Sequence, residues 1–436
     1  MKISIIGTGY VGLVTGACFA EAGHNVTCID IDKLKIAKLK KLDIPFYEEN
    51  LPEVIESGIQ KGLLNFTSSY KTGIKKDTEA IFLCVGTPPK KSGNPNLTFL
   101  KTALESIVHN YNGVTPLFIY IKSTVPVGTN KFAQNYLTKH SNNKQKFIVA
   151  SNPEFLQEGS SVSNFREPDR IIVGTDNDEL KNFSKQLYKP FSKNGKILKF
   201  TNIESAELIK YASNTFLATK ISFMNELSRL SNKVGGNIQD IKMGMGLDPR
   251  IGTKFLNAGL GFGGSCLPKD LKGLMHSYDK FNIKSDLPAA VQKINEEQVE
   301  YFYQLIKSKI TIKNSKFLFW GISFKPNTDD IRDSQSIKLV KKLLNDGAIV
   351  HVYDPKGLEN FEKEINISCN IKILSTMYDN VEECDALIIG TEWQEFKKPD
   401  FGLLGKLKSK KIFDGRNCME INGDTETKFK YYRISS

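Results

Sequence analysis

The sequence predicts an α/β protein with two doubly wound parallel-sheet domains, joined by a long central helix and a helical dimerisation region. Three observations predict it. Residues 2–30 read as strand, glycine-rich turn, helix, strand and acidic residue. From Lys316 onward a second series of short apolar strands alternates with helical patterns. Between them, Ile203 to Val234 keeps a helical periodicity too long for a helix serving one domain. Alternation of this kind builds parallel sheets covered on both faces, so the outer segments are Rossmann-like. Boundaries follow at 1–200, 201–310 and 311–436.

A chain of 436 residues can bury two or three such cores. No apolar run reaches the length of a membrane span, and Met1-Lys2-Ile3 leads into a strand rather than a signal peptide; the expectation is a cytoplasmic protein with no membrane partner. Seven cysteines without a CxxC pair speak for a reducing compartment and against a disulfide framework or zinc site. Five scattered histidines suggest no metal centre and no histidine-based triad. The net charge of +12 raises the nucleic-acid class, but the lysines form no stripe interleaved with aromatics, so no nucleic-acid partner is expected. The seven arginines are more selective. In a lysine-rich chain they suit places where a bidentate fork meets an anionic small molecule.

Taken in order, Lys2 to Ile6 is a buried strand, followed by Gly7-Thr8-Gly9-Tyr10-Val11-Gly12, a helix to about Gly23, and a strand from Asn25 to Ile29 ending at Asp30. This is the dinucleotide fingerprint in its proper context. Its glycines admit a pyrophosphate to the helix N-terminus, and Asp30 can accept bonds from the adenosine ribose, which favours NAD over NADP. Lys35 is the next basic side chain within reach. Strands Ala80–Val85, Leu117–Ile121 and Phe147–Ala150 each end in a polar loop: Gly86-Thr87-Pro88-Pro89, Lys122 to Thr129, and Ser151 to Gly159. In a parallel sheet these loops share one edge, which brings Thr87, Thr124, Glu154 and Glu158 toward the nicotinamide. Ile171–Val173 and Ile197–Phe200 complete the first sheet.

Leu208, Ala212, Leu217, Ile221, Met224 and Leu227 mark the expected apolar stripe of the central helix, and Lys210 and Asn214 share one of its faces. After Arg250 and Phe255 comes Gly261-Phe262-Gly263-Gly264-Ser265-Cys266-Leu267-Pro268-Lys269-Asp270. Three glycines shape a tight loop, and Pro268 opens a helix, so Cys266 falls at a helix N-terminus where a thiolate is favoured. Lys269 adds positive charge and Asp270 a carboxylate. The second doubly wound segment uses Lys316–Trp320, Ser334–Leu344, Ile349–Tyr353 and Ala386–Ile389 but lacks a full GxGxxG, so no second dinucleotide is expected. Its loops carry Lys325 and Arg416, cations suited to a diphosphate.

The chain resembles the UDP-glucose/GDP-mannose dehydrogenase family over Met1 to about Asn417. The resemblance is carried, in the family's order, by GTGYVGLVTGACFAEAGHNVTCID, VGTPP, STVPVGT, NPEFLQEGS, PDRIIVG, NTFLATK, RIGTKFLNAGLGFGGSCLPKD, WGISFKPNTDDIRDS and DGRN. It implies oxidation of UDP-glucose to UDP-glucuronate with NAD. Cys266 would be the nucleophile, Lys220 and Asp270 would hold a water and the oxyanion, and Thr124 and Asn214 would complete the catalytic set. Glu154 would be a candidate base. Gly7, Gly9, Tyr10, Val11, Gly12, Asp30, Lys35, Thr87, Thr124, Glu158, Lys269 and Arg332 would face NAD. Glu154, Phe155, Leu156, Glu158, Lys210, Asn214, Phe255, Gly263, Lys325 and Arg416 would face the nucleotide sugar. Arg250 would reach it from the second subunit of a homodimer.

The chemistry agrees. Taking a primary alcohol to an acid needs two hydride transfers, and a thiolate that captures the intermediate aldehyde prevents its escape. The nearest rival is the same chemistry on a UDP-N-acetylhexosamine or GDP-mannose. A non-catalytic NAD-binding regulator is the rival from another class, but it would need neither Cys266, Lys220 nor Asp270.

Overall fold

The computed structural model describes residues 1–88, 90, 95–142, 145–192, 197–365, 369–421 and 428–434; Pro89, in the expected turn after the fourth strand, lies outside them. The chain divides into two units, Met1–Ser213 with Lys272–Ile283, and Asn214–Leu271 with Lys284–Ser436.

The first unit holds an eight-stranded sheet: β1 (Lys2–Ile6), β2 (Asn25–Ile29), β3 (Leu64–Thr67), β4 (Ala80–Leu83), β5 (Leu117–Ile121), β6 (Phe147–Ser151), β7 (Arg170–Gly174) and β8 (Ile197–Thr201). Their order is β3-β2-β1-β4-β5-β6-β7-β8. Neighbours are parallel except β6 and β7, which meet antiparallel through Ser151 and Gly174. Ala-Ile-Phe-Leu of β4 is buried throughout, as a strand covered on both faces requires. Ile5, Phe82 and Tyr120 feed one core layer, with Phe82 and Tyr120 stacked at 4.6 Å, while Ile6, Ile81, Leu83 and Ile119 feed the other. Helix α1 (Tyr10–Glu21) lays Leu13, Val14 and Ala17 on the first layer. A side chain at Gly16 would come within 2.5 Å of Cys28 Sγ, so this glycine sets how closely helix and sheet approach.

The second unit holds six parallel strands: β9 (Lys316–Trp320), β10 (Ile349–Tyr353), β11 (Ile371–Ile373), β12 (Ala386–Ile389), β13 (Lys411–Asp414) and β14 (Lys430–Arg433). The order β11-β10-β9-β12-β13-β14 is that of a doubly wound fold, reversing beside β9. Phe317, Phe319, Ile388 and Phe413 fill one face, and Leu318, Trp320, Leu387 and Ile412 the other. Trp320 is fully buried with Nε1 donating to Met377 O at 2.8 Å, and truncating it to alanine costs about 3–5 kcal/mol. The short strands β3, β11 and β14 escape the sequence reading because polar residues interrupt them, unlike the equally short but wholly apolar β4 and β12.

Six further helices matter for the site: α2 (Thr129–His140), α3 (Ser161–Arg166), α4 (Ile203–Val234), α5 (Leu267–Lys280), α6 (Asp286–Lys309) and α7 (Gln335–Asn345). The 32-residue α4 matches the expected central helix in length. Its buried face differs from the expected apolar stripe. Leu208 is 41% exposed, while Ser222, Asn225 and Ser228 are buried. These polar side chains are tolerated because each is bonded: Ser222 to Val291 O, Asn225 to Gly259 N, and Ser228 to Asn225 O.

Candidate active site

In the first unit the turn after β1 separates two kinds of glycine. At Gly7 (φ +95°) a Cβ would lie 2.8 Å from Cys84 O, and at Gly12 it would lie 1.8 Å from Gly7 O, so both close the turn. Gly9 faces open space, with nothing within 4 Å of a Cβ, and no side chain caps the start of α1. The backbone donors of Tyr10 and Val11 are therefore placed for a pyrophosphate. At the end of β2, Asp30 Oδ2 accepts from Thr8 N at 2.8 Å, Thr8 Oγ1 at 2.7 Å and Lys35 Nζ at 3.0 Å. Burial raises the Asp30 carboxyl, but these donors outweigh it and hold the group below the ordinary aspartate value. Lys35 thus serves Asp30. This cradle fits a dinucleotide.

Along the same sheet edge, Thr87 Oγ1 donates to Thr124 O at 2.9 Å, so the two expected threonines are brought together. Glu154 is fully enclosed, with Oε1 2.9 Å from Lys210 Nζ and Oε2 accepting from Leu156 N at 2.6 Å. Burial pushes its carboxyl up, yet the Lys210 charge and bonds, then Leu156 N–H and Lys122, hold it below the ordinary glutamate value. Phe155 carries the Arg170 guanidinium 3.7 Å and the Lys210 ammonium 5.5 Å from its ring centroid. Two residues missed in the sequence belong here. Lys122 is buried with Nζ donating to Asn152 Oδ1 at 3.2 Å, and burial lowers its ammonium pKa. Glu48 is buried and bonded to Tyr10 and to Gly159 and Ser161, just after Glu158. A lysine directly after an apolar strand is a signal for the first. Glu48 offers none, since its partners lie 38 to 113 residues away.

In the second unit, residues Gly261 to Gly264 are buried, and amides fix their backbone. Phe262 N donates to Asn295 Oδ1 at 2.8 Å, while Phe262 O accepts from Asn295 Nδ2 at 3.1 Å and Gln335 Nε2 at 2.7 Å. Gly264 N donates to Arg332 O at 2.9 Å, and a Cβ on Gly263 would lie 2.4 Å from Asp333 O. Cys266 is half-buried just ahead of α5, with its carbonyl accepting the helical bond from Asp270 N at 2.8 Å. The thiol therefore stands at the positive end of the helix. Asp270 is wholly buried between Asn214 Nδ2 and Lys269 Nζ, each 2.6 Å away. Lys220 Nζ instead donates to Ile251 O at 3.0 Å, on the segment that carries Arg250.

The remaining expected residues take varied places. Arg250 is exposed and paired with Asp248 at 2.6 Å. Phe255 holds φ +63°, a strained conformation for an aromatic residue that persists where surroundings enforce it. Lys325 Nζ sits 6.0 Å from the Phe324 ring. Arg332 forks onto Asp330 at 2.9 and 2.6 Å. Arg416 spends its guanidinium on Gly390 O at 2.7 Å, Gly261 O at 3.3 Å and Phe324 O at 3.4 Å, beside Glu392. It thereby braces the glycine loop against two others.

The second sheet also ends its second strand with an acid, Asp354. Its Oδ2 accepts from Ser323 N at 2.9 Å and Ser323 Oγ at 2.8 Å, and it is only 2% exposed. Trp393 Nε1 lies 3.3 Å from the same oxygen. Asp354 is thus walled in. Among the described residues no cluster of three or more His, Cys, Asp or Glu side chains is placed to hold a metal, and no helix is long and apolar enough to cross a membrane.

Comparison with known proteins adds an independent line. Models of the UDP-glucose/GDP-mannose dehydrogenase family match the chain at residues 1–192 (NAD binding domain), 204–297 (central domain) and 318–421 (UDP binding domain). The UDP-glucose 6-dehydrogenase of Rickettsia bellii is 41% identical, with all of both chains covered. Among solved structures, a UDP-glucose dehydrogenase from Pyrobaculum islandicum superposes with TM-score 0.89 at 30% identity, covering 100% of this chain and 97% of that one. A UDP-D-ManNAc dehydrogenase from Pyrococcus horikoshii gives 0.85 at 26% identity, covering 100% and 99%.

Proposed function

The chain belongs to the UDP-glucose/GDP-mannose dehydrogenase family, and on that premise we propose that it takes UDP-glucose to UDP-glucuronate through a thioester on Cys266. It is an NAD-dependent oxidoreductase of UDP-glucose. NAD, when bound, accepts the hydride leaving C6 in each of two oxidations. The chain's own residues do the rest. In the first oxidation C6 also loses its hydroxyl proton and becomes an aldehyde. Cys266 Sγ adds to the aldehyde carbon, and the C6 oxygen takes up a proton to give a thiohemiacetal. Loss of a second hydride and of that proton leaves the thioester. Water then adds at C6, the sulfur–carbon bond breaks, and carboxylate and thiol remain.

Asp270 is the base we assign to the attacking water. Asn214 and Lys269 hold its two oxygens, and it lies one helical turn from the thiol. Glu154 suits the role less, because Lys210 keeps it ionised and weakly basic. Lys220 we assign to the C6 oxyanion, a role that requires it to leave Ile251 O. Thr124 and Asn214 place the water, and Lys210, Phe255, Gly263 and Lys325 line the nucleotide sugar. The cytoplasm is the compartment we assign, since this chemistry needs a reduced thiol.

The observation that carries the proposal is the position of Cys266, at the mouth of α5 within a buried glycine loop. Limiting UDP-glucose with excess NAD tests it: two NADH per sugar are expected, and one NADH with free aldehyde overturns the thioester route. We propose a homodimer, supported by α4, which leaves Phe216, Phe223 and Leu230 exposed at 65%, 49% and 58%, seven residues apart on one face. Phe223→Glu is expected to halve the mass measured by light scattering. An unchanged mass moves the interface elsewhere.

A further inference from the structure

The carboxylate of Glu48 joins three segments of the first unit that the sequence keeps far apart. Its Oε2 accepts from the Tyr10 hydroxyl and from Gly159 N at 2.7 Å. Its Oε1 accepts from Ser161 N at 2.8 Å. Glu48 is 3% exposed, so these bonds are made out of water, where a charged acceptor is strong and costly to leave unpaired. Tyr10 is the first residue of α1, where the dinucleotide turn presents its amides. Its hydroxyl also receives Gly159 N at 3.1 Å and lies 3.4 Å from Gln157 O. Gly159 has φ +80° and directly follows Glu158, and Ser161 begins α3. The loop from Glu154 to Ser161 is thereby fastened at its far end to the cofactor turn.

We propose that Glu48 is a positioning residue that couples the dinucleotide turn to the loop bearing Glu154 and Glu158. The inference rests on the reading of those two segments as cofactor and substrate elements. A pyrophosphate settling on the N-terminus of α1 fixes Tyr10, Tyr10 fixes the Glu48 carboxylate, and the carboxylate fixes the Gly159 and Ser161 amides. Linkage makes the relation reciprocal, so a loop held in place also strengthens cofactor binding. Nothing in the coupling needs Glu48 to touch NAD or sugar.

Amide hydrogen exchange on the full-length protein, with and without NAD, tests the coupling without any turnover. In the unmodified protein NAD is expected to slow exchange at Gly159 and Ser161. Glu48→Gln turns one acceptor into a donor that faces a backbone N–H. It is expected to speed exchange at one or both amides and to weaken NAD binding by about tenfold to a hundredfold, the worth of a bond to a charged group. Tyr10→Phe keeps both backbone bonds of Glu48 and removes the link to the turn. It is expected to abolish the slowing by NAD while leaving exchange at Ser161, whose amide does not touch Tyr10, within about twofold in the free protein. The exposed neighbour variant Glu49→Gln is expected to change neither readout. If Glu48→Gln folds and keeps both NAD affinity and amide protection, the proposal fails. If it does not fold, Tyr10→Phe decides alone, and retained slowing by NAD overturns the coupling. A chain that binds NAD but leaves UDP-glucose unoxidised would refute the proposed reaction and leave this test standing.

Discussion

The Lys210 ammonium and the Glu154 carboxylate lie 2.9 Å apart, each less than 8% exposed. Such a pair is far costlier to break than to omit, because removing one partner strands the other charge out of water. Lys210→Met is expected to destabilise the chain by about 3–5 kcal/mol, whereas Lys210→Met with Glu154→Gln recovers most of that. Urea unfolding of the single and double variants measures the difference.

The same pair sets a pH dependence. Glu154 titrates below its ordinary value of 4.5 in the folded chain, because the Lys210 charge and the loop's hydrogen bonds outweigh burial. The folded state therefore binds this proton less readily than the unfolded state, and the stabilisation is fully present above the ordinary glutamate range. It is lost as pH falls through the depressed folded value. Unfolding free energy measured downward from pH 6 should fall less steeply in Glu154→Gln than in the unmodified chain, with the difference confined to the acid side.

The glycine loop admits no side chain at its centre. A Cβ on Gly263 would lie 2.4 Å from Asp333 O, a backbone atom that cannot swing aside. Gly263→Ala is expected to cost about 1–3 kcal/mol through backbone shifts and to lower kcat along with stability. Gly9→Ala meets open space and should leave stability nearly unchanged while raising the KM for NAD. Thermal unfolding beside steady-state kinetics separates the two.

Cys266→Ser should still bind UDP-glucose and NAD, because the backbone of the glycine loop is fixed by Asn295, Gln335 and Arg332 rather than by the residue exchanged. NADH per sugar is expected to fall below two. Asp270→Asn keeps the shape of the buried site and removes its base, and is expected to lower kcat by about 10²–10⁴-fold. Mass spectrometry of the quenched Asp270→Asn reaction should then find a sugar adduct on Cys266, since thioester hydrolysis becomes slow.

What could be read from the sequence was whatever lies within one strand–turn–helix. The turn from Gly7 to Gly12 with Asp30, and Cys266 at the head of α5, are set by local spacing and local geometry. The pairing of Glu154 with Lys210 joins residues 56 apart and Glu48 with Ser161 residues 113 apart, so no local pattern announces either. Arg416 was legible as a loop cation, but the three backbone carbonyls that receive its guanidinium lie 26 to 155 residues away and no local pattern announces them. The apolar stripe expected of α4 holds at Met224, Ile221 and Leu227 but not at Leu208. Ser222 and Asn225 are buried beside them because Val291 of α6 and Gly259 offer them partners.

Asp354 closes on Ser323 with the same pair of bonds, one from a backbone N–H and one from a hydroxyl, by which Asp30 holds Thr8. Two halves of one polypeptide thus carry the same acid at the same station, one half-open and one sealed beneath a tryptophan. The acid at the end of the second strand is a station of the fold itself, and its surroundings decide whether it faces outward or into the core. Reopening the sealed station by Trp393→Ala would expose an acid placed like Asp30 but without the full glycine turn that receives a pyrophosphate.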